Sequence, residues 1–226
     1  MEEKVILGQL LRDLEVIKEA TKRNRVVLRE VYSPERLRFF MLYFATAVVL
    51  VSLLFQYCID LYGSYAALPP VVRLLLYVVI VVMGLSIAVL KWVSIGRSAK
   101  SVDSKLSMWA ILRDHMRSFI VHIYLPFFLL TLGCAYFVAA TGHGAAIVGI
   151  LAIFMALVMN YVGITVGLAD YLAFGYWLLV TGVLSLLLPA VAAGIWIAIC
   201  FGGGAYFLLI AAAVRKRRYL VRSRRG

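Results

Sequence analysis

The chain has 226 residues, 64% of them apolar, with a formal net charge of +12 and a mean hydropathy of +0.97. A soluble domain is excluded, because from Ser118 to Val214 the only formal charge is Asp170 and such a surface could not be held in water. A β-barrel is excluded too: its strands alternate apolar and polar residues, whereas these apolar runs are uninterrupted.

The fold class expected is all-α, a polytopic membrane bundle of six transmembrane helices arranged as three hairpins. Residues 1–33 precede it as an amphipathic cytosolic helix. Leu7, Leu10, Leu14, Ile17, Leu28 and Val31 fall on a 3–4 repeat, with Thr21 and Asn24 at middle seam positions. That is a coiled-coil pattern, in which polar seam residues fix register. The stripe is therefore a candidate contact for a protein partner or a second copy; the alternative is packing on the chain's own membrane domain or on lipid. Ser33-Pro34-Glu35 restarts the helix, as cap, first-turn proline and acid at the positive dipole end. With a charged stretch ahead of the first apolar run at Phe39, that first span is expected to act as its own anchor.

The spans are expected at about 39–59, 71–90, 118–139, 144–163, 171–188 and 194–214. Between the second and third, residues 91–117 are polar and basic. There Val102, Leu106, Trp109 and Met116 recur at helical spacing, which predicts an interfacial helix over about 99–117. A loop is expected over Gly163–Asp170. A polybasic tail follows over 215–226, with Arg215, Lys216, Arg217, Arg218, Arg222, Arg224 and Arg225 available to anionic lipid headgroups. The entries to the first and third spans, Leu37-Arg38-Phe39-Phe40 and Met116-Arg117-Ser118-Phe119, echo one another faintly.

Lysine and arginine resist translocation. Of 23 such residues, nine lie in 1–38, six in 91–117 and seven in the tail, which leaves Arg73 alone for the other side. Both termini are therefore expected in the cytoplasm, at a plasma or bacterial inner membrane. The net charge is accounted for by this asymmetry and does not call for nucleic acid.

Asp170 is the principal candidate site. A carboxylate in a bilayer points to coupling or gating, yet its place just before Tyr171 favours a helix N-cap. The loop around it lacks lysine and arginine, unusual for a cytosolic loop, and this points to burial there against another subunit. Asn160, Ser52 and Gln56 are the polar residues inside the spans, able to bond neighbouring helices or to line a solute path. Asp60 and Arg73 flank the first outer loop and could pair across it. Gly202-Gly203-Gly204 lacks the strand–loop–helix setting of a phosphate loop and is read as helix packing.

Catalytic and cofactor chemistry finds little support. His115 and His122 stand two turns apart, too far along the axis for one metal, and His143 belongs at the opposite face. Cys58, Cys134 and Cys200 are isolated. No HExxH or GxSxG motif is present, and no acids and bases converge at one depth. The expected function is a non-enzymatic membrane anchor, scaffold or assembly subunit, without a cofactor, that associates through its amino-terminal helix. The alternative is a small uncoupled channel or carrier for a neutral or weakly selected solute.

Overall fold

In a computed structural model of the chain, residues 29–102 and 145–223 are described, with isolated positions between 125 and 136. Everything regular among them is helical. Helix α1 is Arg38–Tyr62, α2 is Pro70–Val102, α3 is Ala145–Val166 and α4 is Ala169–Leu187. The last rod is α5 (Ala193–Ile197), a π-helical turn (Ala198–Gly203) and α6 (Gly204–Ser223). Five helical segments are long and apolar enough to cross a membrane: α1, α2, α3, α4 and the last rod over Ala193–Arg215. Apart from those isolated positions, the third span expected at 118–139 lies outside the described residues, as does most of the interfacial helix.

The boundaries differ from the sequence expectation in three instructive places. Helix α2 does not stop at Leu90 but continues to Val102. No proline or strong cap interrupts Lys91–Ser101, and Ile95 and Ala99 give that extension a buried face. The loop expected over Gly163–Asp170 is largely helix, because α3 runs to Val166. Gly163 is a packing residue, since a Cβ there would come within 3.0 Å of the Leu172 side chain. The helix stop is Gly167, whose φ of 74° is in the left-handed region. Amides of Gly167 and Leu168 both donate to the Gly163 carbonyl at 2.9 Å, closing α3 in a single turn. Helix α4 then begins two residues later.

Third, the basic tail is not separate from the last span. Helix α6 carries on unbroken through the basic residues to Ser223. The chain thus alternates direction, and one end of the bundle gathers Arg36, Arg97 and Arg215. It is called the basic end below.

Small residues set the helix spacing. Helices α3 and α4 pack as an antiparallel hairpin through Val148, Ala152 and Ala156 on one side and Phe174 and Leu178 on the other. Gly175 and Gly182 fit here because a Cβ at either would press on α3, meeting the Ala156 carbonyl at 3.0 Å and the Gly149 carbonyl at 3.1 Å respectively. Across the bundle, Gly194, Ala198 and Gly202 repeat every four residues along the last rod. A Cβ at Gly194 would meet the Ser52 carbonyl at 2.7 Å, and one at Gly202 the Val49 side chain at 2.4 Å. Close approach of backbones through such a row supplies the contacts that a hydrophobic effect cannot supply in lipid. Gly204 faces the other way, against Phe174 and Trp177 of α4. The glycine triplet therefore lets α1 and α4 close on the last rod at one level from two sides. The π turn presents the Ile199 carbonyl to α4, where the Trp177 indole donates to it at 3.1 Å.

By contrast, α2 is the outer one among the described helices. Leu74, Leu75, Val78, Val81, Val82 and Leu85 are all exposed along it. At the end opposite the basic one, Asp60 and Arg73 do not pair. Arg73 donates to the Leu68 carbonyl at 2.9 Å and the Ala66 carbonyl at 3.4 Å, and lies over the Tyr65 ring. Asp60 instead accepts the Gln56 side-chain amide at 2.7 Å. The short turn at that end thus engages the guanidinium locally, within the same stretch of chain.

Candidate functional site

At the basic end, the two-residue turn Gly167-Leu168 is too tight to place Asp170 ahead of the first turn of α4. The N-cap position falls to Leu168, and no side chain caps the helix. Asp170 sits inside the first turn instead. A negative group is favourable there through the helix dipole, but it does not bond the orphan amides as a cap would. The capping role expected from sequence is therefore replaced by another. The Asp170 carboxylate, with 5% of its side chain exposed, meets the Arg215 guanidinium at 2.5 Å, Oδ2 to Nη2. The same oxygen has no aligned hydrogen bond, so the contact is an ion pair rather than a directed bond. Arg29 and Glu35 also act electrostatically on this carboxylate.

The pair ties the start of α4 to the place where the last rod leaves its apolar stretch. It also explains the turn without basic residues: the compensating cation comes from 45 positions along the chain. Arg215, grouped by sequence with the lipid-facing tail, is thereby committed to an internal partner. Arg217, two residues on, is exposed.

A strap formed by residues 29–37 closes over this region. Leu37 and Val31 are buried against Phe40, Ile95 and Ala99. Pro34 is among the most deeply buried residues. Two hydrogen bonds fasten the strap to different helices. Ser98 Oγ on α2 donates to the Val31 carbonyl at 3.0 Å, and the Tyr171 hydroxyl on α4 donates to the Tyr32 carbonyl at 3.0 Å. Tyr32 also packs on Val166, Leu168 and Tyr171. Backbone carbonyls at a helix end need partners wherever water is excluded, and here distant side chains provide them. Burial around Asp170 is expected from sequence against another subunit; the contacts seen there come instead from the chain's own strap and from Arg215.

The partner-facing stripe divides at this point. Leu7, Leu10, Leu14, Ile17 and Leu28 lie outside the described residues. Val31, assigned to the same stripe by periodicity, is 2% exposed and belongs to the chain's own core. A 3–4 repeat does not distinguish a partner helix from the chain's own membrane domain, and at Val31 the latter fills the contact.

The intramembrane polar residues are separated rather than gathered. Ser52 turns back on α1, donating to the Val48 carbonyl at 2.6 Å. Gln56 joins two helices: its Oε1 accepts the Gly194 amide at 3.2 Å while its amide donates to Asp60. The Gly194 amide belongs to the first turn of α5 and has no intrahelical acceptor, so the glutamine does the capping that Ala192, without a polar side chain, cannot. Asn160 lies in the α3–α4 hairpin against Gly175, where a Cβ would meet its Oδ1 at 2.1 Å. That oxygen is buried and has no hydrogen-bond partner. Asn160, Gln56 and Asp170 therefore mark three different joints. Of the tail, Lys216, Arg218 and Arg222 continue helix α6 with Arg217, and Arg224 and Arg225 lie outside the described residues.

Sequence reading missed three participants: Tyr32 and Tyr171 as strap fasteners, and Gly194 as the amide donor to Gln56. Tyr171 next to Asp170 carried a faint signal, since a tyrosine at a span boundary needs a hydroxyl partner if it turns inward. Comparison of the chain with protein-family models, with curated proteins and with solved structures finds no match.

Proposed function

We propose that this protein is a non-enzymatic membrane anchor or assembly subunit, with both termini in the cytoplasm and residues 1–28 presenting the contact to a partner. The observation that supports the reading is the use made of its polar side chains. Gln56, Tyr171 and the Asp170–Arg215 pair each join one helix or strap to another. A bundle whose polar groups are engaged in its own joints has the character of a rigid platform. The strap is itself part of that platform, because Val31 and Pro34 are buried in it.

The test is substitution of Leu10, Leu14 and Ile17 by serine, followed by affinity isolation from native membranes and measurement of particle mass. Loss of a co-isolated protein or a fall in oligomer size is expected, with the melting temperature of the membrane domain unchanged. Unaltered composition and mass would refute the reading.

One observation favours a second reading, a small uncoupled channel or carrier: the buried Asn160 Oδ1 lacks a partner, as an oxygen meant for a passing solute would. Solute flux into liposomes that falls with Asn160→Leu is its test, and an inert wild-type protein across a panel of neutral solutes would remove it.

A further inference from the structure

Between the basic ends of α1 and α2 runs an open groove of about 340 Å³ that neither reading above uses. Its lining changes character along its length. Leu90, Val93 and Phe39 form the apolar part, and Phe39 is 86% exposed. Toward the basic end come Ser94 and Arg97 on α2, with Arg36 of the strap also on the wall. Leu90 and Arg97 are seven residues apart on one helix, about 10 Å of axial rise. An apolar floor and a doubly basic rim at that separation match one class of molecule, a phospholipid whose chain lies below its phosphate. Basic pockets between membrane helices bind anionic headgroups for the same electrostatic reason.

We infer that this groove is a binding site for an anionic phospholipid, with its phosphate between Arg36 and Arg97 and the start of an acyl chain along Phe39, Leu90 and Val93. Arg36 is oriented before any lipid arrives. Its Nη1 donates to Ser101 Oγ and its Nη2 pairs with Glu30 at 3.0 Å, which holds the planar fork in place and leaves N–H groups for another acceptor. Glu30 offsets part of the Arg36 charge. The surplus positive charge at the rim is then that of the exposed Arg97, and one negative phosphodiester balances it. A zwitterionic headgroup would bring its own cation to a site whose net charge is already positive, and binds more weakly. The rest of the lipid lies along the exposed apolar face of α2 that begins at Leu85 and Val82. A free phosphate would use the rim and gain nothing from the floor, so the site is one for a lipid.

The inference does not depend on the anchor reading, since a membrane protein of any function can carry such a site. It is tested on the full chain in phosphatidylcholine vesicles doped with a phosphatidylglycerol that bears a photoactivatable group on its acyl chain. Adducts are mapped by mass spectrometry. They are expected to concentrate at Phe39 and Leu90–Val93 and to be competed by unlabelled phosphatidylglycerol but not by inorganic phosphate. Arg97→Gln should lower adduct yield about tenfold, the loss of one charge-assisted contact. Arg217→Gln, which removes the same charge from an exposed position on α6, should leave the yield within about twofold by the same reasoning. Val93→Trp fills the floor without changing charge and should lower labelling at Phe39 as strongly. Melting temperatures of all three variants show that each is folded. Adducts spread evenly over α1 and α2, equal losses from Arg97→Gln and Arg217→Gln, or displacement by inorganic phosphate would each overturn the site.

Discussion

Removing either member of the Asp170–Arg215 pair should destabilise the protein unequally, and the inequality is the informative quantity. At 2.5 Å and an effective dielectric near 20, the gross attraction is about 7 kcal/mol. Withdrawing the carboxylate from water offsets most of this, so the net coupling should be about 1–3 kcal/mol. The two side chains differ in exposure, 5% for Asp170 and 30% for Arg215. In Arg215→Gln an ionised carboxylate stays buried without its cation. That costs about 3–5 kcal/mol, the range for a broken buried pair, because of the charges left beside it Glu35 repels the carboxylate more than Arg29 attracts it. In Asp170→Asn the guanidinium left behind can turn toward water or headgroups, and the cost should be about 1 kcal/mol. The double variant Asp170→Asn/Arg215→Gln should be more stable than Arg215→Gln alone, because the uncompensated carboxylate is gone. The assay is a double-mutant cycle by thermal unfolding in mild detergent, where 1 kcal/mol corresponds to about 2–4 °C for a chain of this size. Equal single-variant losses, or losses that simply add in the double variant, would refute the account of a desolvated acid balanced by a half-solvated base.

Three further expectations concern the joints. Gly194→Ala should lower the melting temperature by several degrees, about 1–3 kcal/mol, because its Cβ would stand 2.7 Å from the Ser52 carbonyl. Gly84→Ala, with nothing within 4 Å, should be neutral or stabilising by less than about 1 kcal/mol, and similar shifts for the two would contradict the packing. Gln56→Leu leaves the Gly194 amide without an acceptor and should cost about 1 kcal/mol in the same unfolding assay; an unchanged melting point would show that the bridge contributes nothing. Tyr171→Phe removes the hydroxyl that fastens the strap. Amide hydrogen exchange should then quicken at residues 31–37 while the α3–α4 hairpin stays protected, and unchanged exchange would mean that packing alone holds the strap.

Much of the architecture was readable from composition alone. The five apolar helices fall where uninterrupted hydrophobic runs put them, because lipid rewards only length and apolarity and both are local properties. The glycine triplet was also legible as packing, since a missing Cβ has little other use inside an apolar helix. Helix ends were less legible. Gly163 and Gly167 look equivalent in sequence, yet one fits against Leu172 and the other takes a left-handed turn, and only the neighbouring helix distinguishes them.

The charges divide in the same way. That Asp170 stands alone in a long apolar interval, beside a turn without a basic residue, follows from the sequence, as does the expectation of a buried contact there. That the contact is Arg215 from the end of the last span, under a strap from the start of the chain, does not. Ion pairing and burial depend on distance in space, and a charge in the basic tail carries no mark of which acid it will meet. Local hydrophobicity along the chain was enough to show that it belongs in a membrane. Which of its few polar groups are engaged in holding helices together, and which remain for a ligand, was decided by tertiary contacts among residues far apart along the chain.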